Sequence, residues 1–293
     1  MNRTFTALAT FNLMSFLRRG IFYMFFYLYL RTFLGLSNTL ASSLGTFNFL
    51  MSMLGQFLVW GPWLDRGPNL APKMVVVGEI IAALTYLVAY QAHAFFLNID
   101  ERFIAALVII GVLGVLEFFW GMSDLSFRSL VAKGTEGQSR GRMTGLIDGF
   151  GSVGQLIGLL SAGLLYNDGY GFAEGSIFYL VVVLILGGAF VILLVLPVKR
   201  LYPSSEETER SPPSGVPTLQ ISTSWKKLLR DYPDYRRYML AFVVSVLALF
   251  SSAQILLYYL EDSGGVGLSS QVLSLVLVVG TKMNQSSCCS LCS

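Results

Sequence analysis

The stretch FLRRGIFYMFFYLYL, Phe16–Leu30, sets two adjacent arginines, Arg18 and Arg19, inside an otherwise almost wholly apolar run. A charged pair in such a run has two explanations: the membrane begins just after it, or the charges are buried and need a partner. The rest of the chain decides which solvent surrounds it. Of 293 residues, 54% are hydrophobic and only 13% are charged, with a mean hydropathy of +0.65. Soluble domains carry about 25% charged residues, so this chain lacks the charge to cover a water-facing surface. Lipid is the solvent that accepts it.

A membrane-crossing helix needs about 20 apolar residues. Seven runs of that length occur, over residues 5–30, 40–60, 74–97, 103–125, 142–166, 176–196 and 238–260. An eighth, 266–280, is short and would cover only ~22 Å of a ~30 Å hydrocarbon layer. The runs are too long for strands and lack the alternation of a membrane barrel. Charges interrupt the first run and no small-residue cleavage site follows it, so it is not a removed signal peptide. The fold class expected is all-α, a polytopic helical membrane protein.

Basic residues fall on one side of the alternating loops. Fourteen lie after spans two, four and six, among them Arg66, Lys73, Arg128, Lys133, Arg140 and Arg142, against Arg31 and Arg102 on the other side. The positive-inside rule makes the first side cytoplasmic, together with the N-terminus. A plasma (inner) membrane location follows as the expectation. The net charge of +3 is accounted for by topology and gives no reason to expect a nucleic-acid partner. The connection 198–237 contains YPSSEETERSPPSGVPT, a composition that does not pack a core, followed by SWKKLLRDYPDYRRY, a basic surface helix. It separates a six-helix unit, 1–197, from the start of a second bundle, 238–280.

Six spans, a long cytoplasmic loop and a fresh set of spans resemble the first half of a major facilitator superfamily transporter. That family carries a signature between its second and third helices: Gly, three residues, Asp-Arg, a spacer, Gly and then basic residues. Here GPWLDRGPNLAPK supplies Gly61, Asp65, Arg66, Gly67 and Lys73. Gly67 follows Arg66 without a spacer and one basic residue remains. The resemblance implies a cytoplasmic gate in which Gly61 lets two helices approach and Asp65 pairs with Arg128 or Arg142.

Span five, GLIDGFGSVGQLIGLLSAGLL, resembles the glycine motif of the family's drug–proton antiporters through Gly145, Gly154, Gly158, Ala162 and Gly163. Leu159 stands where those antiporters have proline. The same small residues, four apart, form a flat face for helix packing, and both readings stand. SLVAKGTEGQSRGRM resembles the loop from helix four to helix five. The antiporters' arginine in the first half of helix four has no counterpart; Glu117 and Asp124 are found on that helix instead.

The resemblance extends from the N-terminus to about Gly280. It implies secondary transport of a small solute by alternating access, with protons as a candidate coupling ion. The closing TKMNQSSCCSLCS, residues 281–293, has no place in the pattern and holds all three cysteines, Cys288, Cys289 and Cys292. It reads as a truncated or frame-shifted end, or as a palmitoylated tail. A half-transporter remnant that binds a partner without transporting is the alternative function.

In the family, helices one, four and seven line the central cavity. At 100° per residue Asn12, Ser15, Arg19, Tyr23 and Tyr27 share one stripe of helix one, so that stripe reads as a cavity wall. A charge facing lipid there would cost at least ~2.5–3.5 kcal/mol. Asn12, Arg19, Tyr23, Glu117 and Asp124 are the expected substrate or proton pathway, with Arg19 paired to Glu117. Arg18 points to a neighbouring helix, where Asp148 is a candidate partner. Glu79, near the cytoplasmic end of span three, reads as structural. Polar stripes on helix two (Asn48, Ser52, Gln56) and helix seven (Ser245, Ser252, Tyr259) are inter-helix contacts or ligand groups.

Other classes fit less well. A seven-span receptor would not have a cytoplasmic N-terminus, and helix seven lacks the lysine of a retinal protein. No Ser–His pair or aspartate pair is placed for intramembrane hydrolysis, so no enzyme activity is expected. His93 is the only histidine, no zinc-ligand spacing exists, and neither a metal nor another cofactor is expected.

Overall fold

The computed structural model describes residues 3–67, 70–133 and 140–195, with isolated positions beyond. The connection 198–237 (save for isolated positions), most of the expected spans 238–260 and 266–280, with Ser245 and Ser252 of the helix-seven stripe, and the tail 281–293 lie outside the described residues.

Six long helices are formed: α1 (Arg3–Leu28), α2 (Asn38–Leu54), α3 (Leu70–Asn98), α4 (Arg102–Lys133), α5 (Arg140–Leu165) and α6 (Ser176–Val195). No strand occurs among the described residues. Four helices are long and apolar enough on their own to cross a bilayer, over Leu70–Asn98, Arg102–Ala132, Gly141–Leu165 and Ser176–Leu194. Large apolar side chains such as Leu84, Leu164, Val183 and Leu194 stand outward and exposed, an arrangement that water penalises and hydrocarbon does not.

The helices end where the sequence supplies the means. After α1 the chain reverses through Gly35, whose φ of +74° is the left-handed region open to glycine. Ser37 then caps α2, its hydroxyl accepting from the Leu40 N–H at 3.3 Å. Helix α4 runs eight residues beyond the expected apolar run. Phe127, Leu130 and Val131 continue its buried face past the hydrophobic segment, and Arg128 sits on this extension of the helix. Two π-helical segments were not legible in the sequence. Tyr29–Phe33 extends α1, and Gly55–Trp60 extends α2 toward the short turn Gly61–Leu64. Such segments concentrate at functional sites.

Helix α1 packs most extensively on α5 and also on α6; α3 packs on α4 and α6; α2 packs on α4. This pattern is unchanged when α1, α2 and α3 are exchanged for α4, α5 and α6. It is the pairing that a three-plus-three internal repeat produces. The tightest contact has a simple cause. A Cβ on Gly154 or Gly158 of α5 would run into the backbone of Leu13 or Leu17 on α1, and one on Gly20 would run into the backbone of Gln155. The two helices therefore touch backbone to backbone, with Ala162 buried further along α5.

Two apolar cores stack along the bundle. One is aromatic, built on Phe22, Phe25, Phe26, Tyr29, Phe172 and Phe178. The other holds Phe11, Trp60, Met74, Met122, Phe127 and Ile192. The charged side chains lie between them: Trp120 belongs to the first core and Met122 to the second.

Candidate functional site

Arg18 is the most buried cation described, with its side chain 4% exposed and its partner's 2%. That partner is Glu79 of α3. Arg18 Nη1 donates to Glu79 Oε2 at 2.6 Å and Nη2 donates to Oε1 at 3.2 Å. Ser123 of α4 adds a third donor to the same carboxylate, its hydroxyl meeting Oε1 at 2.6 Å. Ser15 Oγ accepts from Arg18 Nη2 at 3.4 Å. Two fixed charges in an apolar interior are tolerable only when paired and hydrogen-bonded in this way. The bidentate fork, with its serine, ties α1, α3 and α4 together. Gly78, the residue before Glu79, makes room for this: a Cβ there would stand 3.0 Å from that of Ser123.

One residue on, Arg19 has a different setting. Its guanidinium lies over the Trp120 ring, 3.9 Å from the centroid, and 4.9 Å from that of Phe16. Arg18 approaches the same indole at 4.4 Å. Arg19 Nη2 stands 3.7 Å from Asp124 Oδ1, with side-chain exposures of 26% and 27%. The other carboxylate oxygen of Asp124 accepts from Arg128 Nε at 3.2 Å. Arg19 Nε is buried without a hydrogen-bond partner.

Tyr23, one turn along α1, donates its hydroxyl to Glu117 Oε1 and stacks on Trp120, with centroids 6.3 Å apart. Glu117, Trp120 and Asp124 thus share a face of α4, at spacings of three and four.

Several expectations change. Arg19 meets Asp124, and Glu117 takes Tyr23, so the expected Arg19–Glu117 pair is not formed. Arg18 pairs with Glu79 rather than Asp148, whose residue is exposed on α5. Asn12 donates its amide to the Ile147 carbonyl at 2.9 Å and is buried against α5, an inter-helix bond and not a cavity wall. Gln56, in the π segment that extends α2, donates Nε2 to Ser52 Oγ of α2 at 3.1 Å. Asn48 is buried with neither amide atom bonded.

At the loop after α2, Asp65 and Arg66 are exposed. Among the described residues Asp65 forms no ion pair, Arg128 is engaged with Asp124, and Arg142 is exposed. Gly61 serves a local need: a Cβ there would stand 2.8 Å from the Gln56 carbonyl of its own π turn, so it does not mediate contact between two helices. Gly67 accepts from the Leu70 N–H at 3.3 Å, opening α3, and Lys73 is exposed on its first turns. Trp60 holds the approach to this loop by donating Nε1 to the Phe118 carbonyl at 2.7 Å. On α5, Gly154, Gly158 and Ala162 are packing residues against α1. Gly145 faces open space, and Gly163 sits one step beyond Ala162.

Glu79, Trp120 and Ser123 are the site residues that the sequence did not single out. Glu79 was visible as an acid within a span. Trp120 and Ser123 carry no signal beyond their position, three and six residues after Glu117. Among the described residues no cluster of metal-ligating side chains occurs.

Comparison with known proteins agrees with this architecture. No curated protein and no solved structure matches the chain. The sequence profile of the Major Facilitator Superfamily matches residues 8–283, nearly the whole chain. With six long apolar helices in a three-plus-three packing and charged groups between them, the chain belongs to the major facilitator superfamily of membrane transporters.

Proposed function

We propose that the chain carries out proton-coupled secondary transport of a small solute by alternating access, from a plasma membrane in which its N-terminus is cytoplasmic. The observation that carries this reading is the Arg19–Asp124 pair. It is partly open, it sits deep in helices built to span lipid, and its 3.7 Å separation leaves both charges free to change partners. Glu117, two turns from Asp124 on α4, is 8% exposed and is bonded to a phenol and not to a cation, so it is the carboxyl best suited to take up and release a proton. Charges in such positions are functional by default, because lipid exposure of either would be costly. The loop Gly61–Lys73 serves as the cytoplasmic gate, with Asp65 as its exchangeable charge.

The test uses the purified chain in liposomes loaded with a pH-sensitive dye. Small organic anions and cations are offered on the outside under an imposed pH gradient. Proton movement that requires one of these solutes, and that Glu117→Gln removes, is the expected result. Solute flux without proton movement would remove the coupling, and absence of flux for every solute would remove the transport reading.

A further inference from the structure

Arg19 is held as a binding group whose own partner is incomplete. Its guanidinium plane is fixed by Trp120 at 3.9 Å and Phe16 at 4.9 Å, so the head is oriented before any ligand arrives. Carboxylates recognise arginine through two parallel N–H donors, and the Nε–Nη2 edge is one such pair. On this edge Nε has no hydrogen-bond partner. Nη2 is 3.7 Å from Asp124 Oδ1, beyond hydrogen-bond length. Asp124 is meanwhile engaged through its other oxygen by Arg128 at 3.2 Å. The neighbouring Arg18 shows the contrast: its fork is filled by Glu79 at 2.6 and 3.2 Å and is buried.

The charge count makes room for an anion once Glu117 carries a proton. Arg18 and Glu79 cancel each other, and Arg19 and Arg128 balance Asp124 and Glu117; protonation of Glu117 leaves one cation in excess. Arg19, Arg128 and Asp124 reach the surface, with side-chain exposures of 26%, 64% and 27%. A buried, unsatisfied charged donor costs more than it would when paired. A solute that completes the fork recovers that cost.

We infer that the Arg19 Nε–Nη2 edge is a binding subsite for the carboxylate of a small organic anion, which displaces Asp124 onto Arg128 and lays its apolar part against Trp120 and Phe16. This rests on the transport reading for its physiological meaning, but the binding step stands without flux. Displacement of Asp124 is the step by which the solute alters the charge around Glu117, two turns away on the same helix face.

The experiment measures equilibrium binding of benzoate, benzylamine and benzyl alcohol to the purified chain in nanodiscs of phosphatidylcholine. Saturable benzoate binding is expected, with the other two at background. Arg19→Gln abolishes it. Arg19→Lys weakens it roughly tenfold, since a point charge lacks the planar fork. Asp124→Asn tightens it, because the competing carboxylate is gone. The lysine and asparagine variants keep the test decisive where the glutamine variant does not fold. Preferential benzylamine binding, benzoate binding unchanged in Arg19→Lys, or weaker binding in Asp124→Asn would each overturn the subsite. Competitive loss of benzoate binding in phosphatidylglycerol nanodiscs would assign the edge to a lipid headgroup and overturn it as well. Benzoate binding without benzoate uptake into liposomes would retain the subsite and discard transport of this solute.

Discussion

Arg18 and Glu79, carried on α1 and α3 and 61 residues apart in sequence, face each other through two hydrogen bonds of 2.6 and 3.2 Å, with both side chains almost fully buried. Arg19, its neighbour in sequence, reaches partial exposure on another face. The 100° step of the helix turns one of two adjacent arginines into a buried ion pair and the other to a partly open face.

The structural role is testable through stability. Glu79→Gln leaves the Arg18 guanidinium buried without a counter-charge, and Arg18→Gln does the same to Glu79. Loss of one partner of a buried pair costs about 3–5 kcal/mol. Both single variants are expected to lower thermal stability in detergent strongly, whereas Arg18→Met combined with Glu79→Met recovers much of the loss. A double variant as unstable as the sum of the singles would show that the pair is not the cause.

The α1–α5 contact yields a second test. Gly158→Val places methyl groups where the Leu17 backbone lies, and overpacking of this kind costs about 1–3 kcal/mol. Gly145→Ala meets nothing within 4 Å and does not lower stability; the better helix propensity of alanine raises it by up to about 1 kcal/mol. Thermal unfolding of the two variants, side by side, checks the difference. Equal effects would mean that the glycines do not act by packing.

The fold was largely legible because it is written in a one-dimensional signal, apolar run length. The six expected spans up to residue 196 correspond to α1 to α6, with shifts at their ends. The site was legible only in part. A helical wheel puts Arg19 and Tyr23 on one stripe and Glu117 and Asp124 on another, and these stripes do face each other. The wheel cannot say which acid meets which arginine. That depends on the vertical offset of α1 against α4, which brings Tyr23 to Glu117 and Arg19 to Asp124. Glu79 was assigned a structural place without a partner, because its arginine lies two helices away. The π segments insert their extra residue without any sequence mark, which is why Gly61 was read as a helix-contact residue and not as part of a widened turn.

Topology can be checked independently of any solute. After removal of Cys288, Cys289 and Cys292, single cysteines at positions 133 and 215 are expected to react with an impermeant maleimide only from the cytoplasmic side. One at position 168 is expected to react only from outside. Labelling of position 215 from outside would invert the assignment, which rests on the basic residues flanking that loop.

The loop proposed as the cytoplasmic gate makes the last prediction. Asp65 closes the short turn Gly61–Leu64, its N–H donating to the Gly61 carbonyl at 3.1 Å, and its side chain is exposed. The turn is anchored to α4 by Trp60, whose indole meets the Phe118 carbonyl at 2.7 Å. Phe118 follows Glu117 directly and precedes Trp120 by two residues, so the turn and the charged site meet the same stretch of α4, the turn through this hydrogen bond and through the Trp60 ring against Phe118 and Phe119. Asp65→Asn keeps the shape and removes the charge. It is expected to leave membrane insertion and thermal stability intact while cutting transport. Trp60→Phe keeps the ring and removes the anchoring hydrogen bond, worth about 0.5–1.5 kcal/mol, and is expected to lower transport with only a small loss of stability. Solute uptake and unfolding temperature, measured on the same preparations, separate the two quantities. Normal transport by Asp65→Asn would show that this loop is an ordinary charged turn, and normal transport by Trp60→Phe would show that transport does not need this hydrogen bond.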